Sequence, residues 1–376
     1  MSLPFPINSA LANLPVYQPG RPIEEVAREL NLAEDSIIKV ASNENPLGPS
    51  PLALAAMRKT LPKLNLYPDG NAFYLKQKPA GKLSLTPANL VLGNGSNEVI
   101  ELLGHLVLEN APAPSAEHPF PPEVIVSQYC FAVYPIVAAL FGAKLVEVRA
   151  KDHGHDLTAM LAAITPNTRL IFVANPNNPT GTSVPRDELA RFVQAVPENI
   201  LLALDEAYIE FMDDPLDLLP EIRAVSRKNL LLMRTFSKIY GLAGLRLGYG
   251  IGHPELITEL EKIRQPFNIN ALVQAAALAA LDDTEHVEKT RRLNARGLKF
   301  LARSFRKLEL EFVPSAANFI LVRVGDGQRV FQHMQKLGVI ARPMGGYGLP
   351  EWVRLSVGTP KQNARALSAL AEALRV

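Results

Sequence analysis

The chain has 376 residues, 48% of them hydrophobic and 20% charged, which is enough for two or three cores and excludes disorder, collagen-like repeats and a disulfide scaffold. With 39 Lys and Arg against 37 Asp and Glu, the formal charge of +2 is too small to gather nucleic acid or an anionic membrane. A lone cysteine, Cys130, allows no internal disulfide, no apolar stretch nears the roughly 20 residues of a membrane span, and the first residues lack a secretory pattern, so a soluble protein of the cytoplasm is expected.

In chain order, the first clear alternation of strands and helices begins near residue 90. A strand at 90–92 leads through Gly93-Asn-Gly-Ser-Asn97-Glu98 into a helix at 99–107. The proline-rich stretch 111–122 reads as an exposed loop, and further strands are expected at 124–127, 144–148, 170–174, 201–204, 230–233 and 245–251. The runs at 201–204 and 230–233 are apolar at every position, as in strands buried on both faces. Helices at 255–265, 271–282 and 284–307, a strand at 318–324, a helix at 328–336, strands near 338–341 and 352–357, and a terminal helix complete the pattern. The fold class is therefore α/β: a mostly parallel sheet with helices on both faces, plus a smaller α+β domain. Residues 46–265 are assigned to the large domain, with 1–45 and 266–376 forming an N-terminal arm and the small C-terminal domain.

The polar residues that end the buried strands lie where an open α/β sheet binds its ligands. Lys238 stands just past one such strand among small and hydroxylic residues, in Arg-Thr-Phe-Ser-Lys at 234–238, with Arg246 eight residues on. Desolvation there suits a lysine for covalent chemistry with a carbonyl. Asp205 follows a fully apolar strand, so its carboxylate needs a cation or a hydrogen-bond donor, such as a protonated pyridine nitrogen. Asn175-Pro-Asn-Asn-Pro-Thr-Gly181 is a tight loop that presents rigid amides at another strand end. In Gly93-Asn-Gly-Ser-Asn97-Glu98, backbone N–H groups at a helix start suit an anion, and Glu98 in place of a third glycine excludes a dinucleotide fingerprint. His153 and His155 have only Asp152 and Asp156 near them in sequence, and no metal site is expected.

Gly-Ser-Asn, Asn-Asn-Pro-Thr-Gly, Asp-Glu-Ala-Tyr, Thr-Phe-Ser-Lys and Gly-Leu-Arg, in this order, resemble the fold-type I pyridoxal-phosphate aminotransferases over nearly the whole chain. Within them the sequence is most similar to the histidinol-phosphate aminotransferases. That narrower likeness rests on Tyr17-Gln-Pro-Gly-Arg21, Ser42-Asn-Glu-Asn-Pro46, Tyr67-Pro-Asp69, Phe131-Ala-Val-Tyr134 and Val353-Arg-Leu-Ser-Val-Gly-Thr359.

The resemblance implies pyridoxal 5'-phosphate as cofactor, with Lys238 as its covalent attachment point and proton shuttle. It implies that Asp205 holds the ring nitrogen protonated, that Asn178 and Tyr208 donate to the phenolate oxygen, and that Phe131 stacks on the ring. Ser96, Asn97, Thr235, Ser237 and Arg246 would hold the phosphate, joined by Tyr67 from a neighbouring subunit, and Tyr17 would approach the substrate; hence a homodimer with shared sites. Arg354 would bind the α-carboxylate of glutamate in one half-reaction and the substrate phosphate in the other, assisted by Arg342. The implied reaction moves an amino group between L-histidinol phosphate and 2-oxoglutarate, giving imidazole-acetol phosphate and L-glutamate in L-histidine biosynthesis. Aromatic amino-acid transamination and threonine-phosphate decarboxylation are the alternatives. Three features depart from the family: Ile239 after the lysine, Pro79 and Gly81 within what is normally a continuous helix, and the long 111–122 loop.

Overall fold

The computed structural model describes residues 14, 16, 20–109, 120–224 and 226–375. Its largest sheet has seven strands in the order Leu90–Gly93, Gly248–Gly252, Leu230–Thr235, Leu201–Asp205, Thr168–Ala174, Glu123–Ser127 and Lys144–Val148. Only Gly248–Gly252 runs against its neighbours; the others pair in parallel from Leu230–Thr235 outward. Successive side chains on a strand point to opposite faces, and here both faces are dry. Leu202, Leu204, Leu230 and Leu232 enter one core, while Leu201, Ala203, Leu231 and Met233 enter the other. Helices Leu157–Ala162, Arg186–Ala195 and Ala271–Ala280 cover the first face, and Ser96–Val107, Val133–Leu140 and Pro254–Ile263 cover the second. Continuous apolar runs are the sequence signature of this arrangement.

The second unit has a four-stranded antiparallel sheet, Arg342–Pro343, Trp352–Ser356, Phe319–Arg323 and Phe312–Val313. A two-stranded parallel sheet joins Ile38–Lys39 to Val339–Ile340, so the N-terminal part of the chain packs with the C-terminal part. Their common core gathers Val26, Leu301, Phe305, Val330, Met334 and Leu370. The 24-residue helix Thr284–Lys307 begins at Asp283, whose side chain accepts the His286 N–H, and the terminal helix Pro360–Ala373 begins with a Thr359/Gln362 capping box. Helix Ala271–Ala280 packs on Pro51–Thr60 and joins the larger core, although it follows residue 265.

Two local expectations change. The strand expected from residue 245 starts at Gly248, because Ala243–Leu245 forms a 3-10 turn and Arg246 adopts a left-handed conformation with φ 56°. The expected interruption by Pro79 and Gly81 does not occur: Phe73–Lys82 is one helix with Pro79 inside it. Burial of Leu75, Pro79 and Ala80 offsets the missing N–H, and Lys76 and Lys78 tie the helix to Glu261 and to the Leu278 carbonyl. Pro79→Ala is therefore expected to stabilise the protein: a helix-interior proline costs about 3 kcal/mol, and the lost ring burial returns only part of that. The check is the urea unfolding midpoint, where a lower midpoint would show the ring packing to be the larger effect.

Candidate active site

Four strands of the large sheet end around a cavity of about 370 Å³. Lys238, Asp205, Tyr208, Asn178 and Phe131 line it, as do Ser96, Asn97, Thr235, Ser237 and Arg246. Ten residues from five separate sequence stretches are thus brought into one space.

Asp205 is the last residue of its strand and is buried. Its Oδ2 accepts the Tyr134 hydroxyl at 2.7 Å and its Oδ1 accepts the Ala207 N–H at 3.0 Å. Burial pushes its carboxyl above the ordinary range, while these two donors and the Lys238 charge oppose the shift. Lys238 lies opposite, its Nζ 3.5 Å from the Ser42 carbonyl and 5.6 Å from the Tyr208 ring centre. Burial, and then the Arg354 charge, push its amine down to about 8. The Tyr208 hydroxyl accepts from Asn43 Nδ2 at 2.9 Å, and burial pushes it up to about 12.

The other end of the cavity is built for an anion. Helix Ser96–Val107 begins after Gly95 with no side-chain cap, and its first residues, Ser96 and Asn97, line the cavity. A Cβ on Gly95 would meet the Arg246 guanidinium, and one on Gly248 would lie 2.3 Å from the Ser96 nitrogen. Glycine at both positions lets the helix start, the Arg246 turn and the strand meet. Arg246 Nη1 donates to Ser237 Oγ at 3.4 Å and to the Ala243 carbonyl at 3.0 Å. Thr235 Oγ1 accepts the Ser237 N–H at 3.0 Å, fixing the turn that carries Ser237 and Lys238.

Arg354, buried on the Trp352–Ser356 strand, reaches the large unit by donating to Asn178 Oδ1. It also donates to the Ala41 carbonyl at 2.9 Å and lies 5.0 Å from the Phe319 ring centre. Arg342 is paired with Arg354 in register, but it lines a neighbouring cavity of about 570 Å³ with Gln128 and Tyr347. Tyr67 is outside the cavity, 85% exposed, with its ring against Phe267. Tyr17 lies outside the described residues, as do 111–119 of the proline-rich stretch.

Tyr134 and Asn43 were not among the residues singled out individually, although both fall inside quoted motifs. Tyr134 follows Phe131 by three residues, the spacing at which a helix start presents two side chains together, and its ring stacks on Phe172 at 4.4 Å. Glu206 and Arg234 form a largely buried ion pair at 2.7 Å between the ends of the Leu201–Asp205 and Leu230–Thr235 strands. Ile239 is buried and its carbonyl accepts from Asn45 at 2.9 Å, so this departure is absorbed by packing. His155 is held by the Ala174 carbonyl at 2.8 Å, and burial pushes the Cys130 thiol up to about 12. Among the described residues no three metal-binding side chains come together, and no helix is long and apolar enough to cross a membrane.

The family model described as aminotransferase class I and II matches residues 35–370. A histidinol-phosphate aminotransferase of Akkermansia muciniphila is 49% identical over 375 residues, covering 100% of both chains. Histidinol-phosphate aminotransferase 2 of Ralstonia nicotianae is 50% identical, covering 100% of this chain and 98% of its own. Among solved structures, histidinol-phosphate aminotransferase from Sinorhizobium meliloti in complex with pyridoxal-5'-phosphate superposes with a TM-score of 0.86 at 30% identity, covering 98% of this chain and 97% of that one.

The depressed amine gives a pH signature. The unfolded lysine binds its proton up to about pH 10.5, whereas the folded one releases it near 8. Between these values the unfolded state carries more protons, so folding stability rises with pH. Urea unfolding of cofactor-free protein from pH 7.5 to 10.5 is expected to show this rise, and Lys238→Met to lack that component; equal slopes in the two proteins would remove the assigned shift.

Proposed function

The chain belongs to the class I and II aminotransferases, and on that premise we propose that it moves an amino group between L-histidinol phosphate and 2-oxoglutarate with pyridoxal 5'-phosphate as cofactor. The products are imidazole-acetol phosphate and L-glutamate, which makes it an enzyme of L-histidine biosynthesis. One observation carries the reading: a lysine, a buried carboxylate and an uncapped helix start with an adjacent arginine share a single cavity, in a chain whose full-length relatives bear that activity as their name.

The residues present fit the cofactor. Gly95 and Gly248 leave room beside the helix start, where Ser96, Asn97, Thr235, Ser237 and Arg246 would hold its phosphate. Asp205, whose oxygens accept from the Tyr134 hydroxyl and the Ala207 N–H, would hold a proton on the ring nitrogen. Tyr208 and Asn178 would orient the ring oxygen, and Phe131 would cover one face. When bound, the cofactor supplies an electron sink for the pair left on the substrate's α-carbon. Lys238, with its amine near 8, has a neutral fraction at physiological pH that would hold the cofactor's carbonyl carbon with loss of water; displaced from it by the substrate's amine, the freed lysine amine would move the α-proton. Arg354 would bind the carboxylate of glutamate or the phosphate of histidinol phosphate, since a charged planar fork suits both; Arg342, opposite it in the sheet, would assist. Tyr17 would contact the substrate.

We further propose a cytoplasmic homodimer. Leu61, Leu64, Leu66, Phe73 and Tyr74 are exposed apolar side chains on the same stretch as Tyr67, and exposed Phe267 lies against its ring, a set that favours burial against a second copy. Tyr67 would then serve the partner's phosphate site.

Holoenzyme given L-histidinol phosphate should lose the visible band of the lysine-bound cofactor and regain it with 2-oxoglutarate. Reaction with phenylalanine or tyrosine alone would transfer the assignment to aromatic transamination, and carbon dioxide release without an oxo-acid to the decarboxylase. Lys238→Ala should abolish band and turnover together, and Asp205→Ala should retain some cofactor while losing orders of magnitude in rate. In light scattering the protein should have twice 41.1 kDa; a monomer with full activity would remove the shared-site reading.

A further inference from the structure

The cavity is rich in cations, with Lys238 and Arg246 in its wall and Arg354 bonded to Asn178 at its edge. Two carboxylates line it, Asp205 and Glu44. Both oxygens of Asp205 are engaged. Glu44 is different: its side chain is 48% exposed, and among the described residues its one ion-pair contact, with Lys39, is loose at 3.5 Å.

The residues on either side explain why this carboxylate stands where it does. Asn43, at φ 55°, and Asn45 are buried, 1% and 9% exposed. The Asn43 backbone N–H donates to Ser356 Oγ at 2.7 Å, its Nδ2 donates to Tyr208, and its carbonyl accepts from Asn318 at 2.9 Å. Asn45 Nδ2 donates to the Ile239 carbonyl at 2.9 Å and to Thr290 Oγ1 at 3.1 Å. Both neighbours of Glu44 are thus pinned to the two structural units, and the Ser42 carbonyl faces Lys238. The turn is rigid, and what it presents to the cavity is an under-neutralised carboxylate. Glu44 also lines a second cavity of about 500 Å³, so it stands between the reaction space and a further opening. Its charge acts on Lys238 ahead of that of Asp205.

Resting on the functional reading above, we propose that Glu44 is the residue that selects the donor's side chain, accepting a hydrogen bond from the imidazole N–H of L-histidinol phosphate. A fixed carboxylate favours an N–H donor over a phenyl ring, which offers none, and over the side-chain carboxylate of glutamate, which it repels. Lys39 offsets part of that repulsion, so glutamate is still admitted. Pinning of Asn43 and Asn45 fixes the backbone that carries Glu44, so only its side-chain torsions remain to be ordered when the substrate arrives.

The test is the half-reaction of holoenzyme with L-histidinol phosphate and, separately, with L-glutamate, each followed by loss of the visible cofactor band. In Glu44→Ala the ratio of kcat/KM for histidinol phosphate to that for glutamate should fall by about tenfold or more. Glu44→Gln, which keeps a neutral acceptor, should fall less in the same direction, and KM for glutamate should decrease in both variants. Equal losses with both donors would show that Glu44 acts on Lys238 rather than on the side chain, and an unchanged ratio would remove any selective role; either overturns the proposal. Failure of the functional reading would show elsewhere, as wild-type holoenzyme that reacts with glutamate but not with histidinol phosphate.

Discussion

A carboxylate buried at the end of an apolar strand is the constraint around which this site is arranged. Asp205 occupies the carboxyl end of a strand whose other residues are all apolar, and ionised it is tolerable only if its oxygens are met. The Tyr134 hydroxyl, the Ala207 N–H and the facing Lys238 do this. Tyr134 is itself placed by stacking on Phe172 in the neighbouring strand. The same burial that raises the cost of the Asp205 charge depresses the Lys238 amine. One dry environment therefore sets both groups: it makes the Asp205 charge depend on its donors and leaves the Lys238 amine partly neutral.

The anion end works by subtraction. Where most helix starts carry a capping side chain, Ser96–Val107 has Gly95, and the space that a Cβ would take belongs to Arg246. Gly248 performs the same service on the adjacent strand. An uncapped helix start and a guanidinium thereby share one cavity, an arrangement that suits an anion. The antiparallel placement of Gly248–Gly252 between two strands of opposite sense is what brings this strand against the helix start.

The two structural units meet at the reacting centre. Arg354 comes from the smaller sheet and donates to Asn178 on the larger one; Asn43 comes from the N-terminal stretch and reaches Tyr208. On the proposed reading, substrate anions and cofactor would be held by groups from different parts of the chain. Movement of one unit against the other would displace Arg354 and Asn43 relative to the cavity while leaving Ser96, Asn97, Thr235, Ser237 and Arg246 together.

By itself the sequence determined the strands and their burial, because a strand dry on both faces must be apolar at consecutive positions, as at 201–204 and 230–233. It also marked Lys238, Asp205, Asn178 and Arg246, because polar residues near the ends of such strands need a partner, and the structure brings all four to one cavity. It misread Pro79, since the penalty for a proline in a helix is local and visible in sequence, whereas the burial of Leu75 and Ala80 that outweighs it is not. It left Tyr134, Asn43 and Glu44 without individual roles for a related reason. Each matters through a partner far away in the chain, Asp205, Tyr208 and the Lys238 cavity respectively. Which side chains face a common space is a property of packing, and that was decided only when the strands took their order and the two units closed around the site.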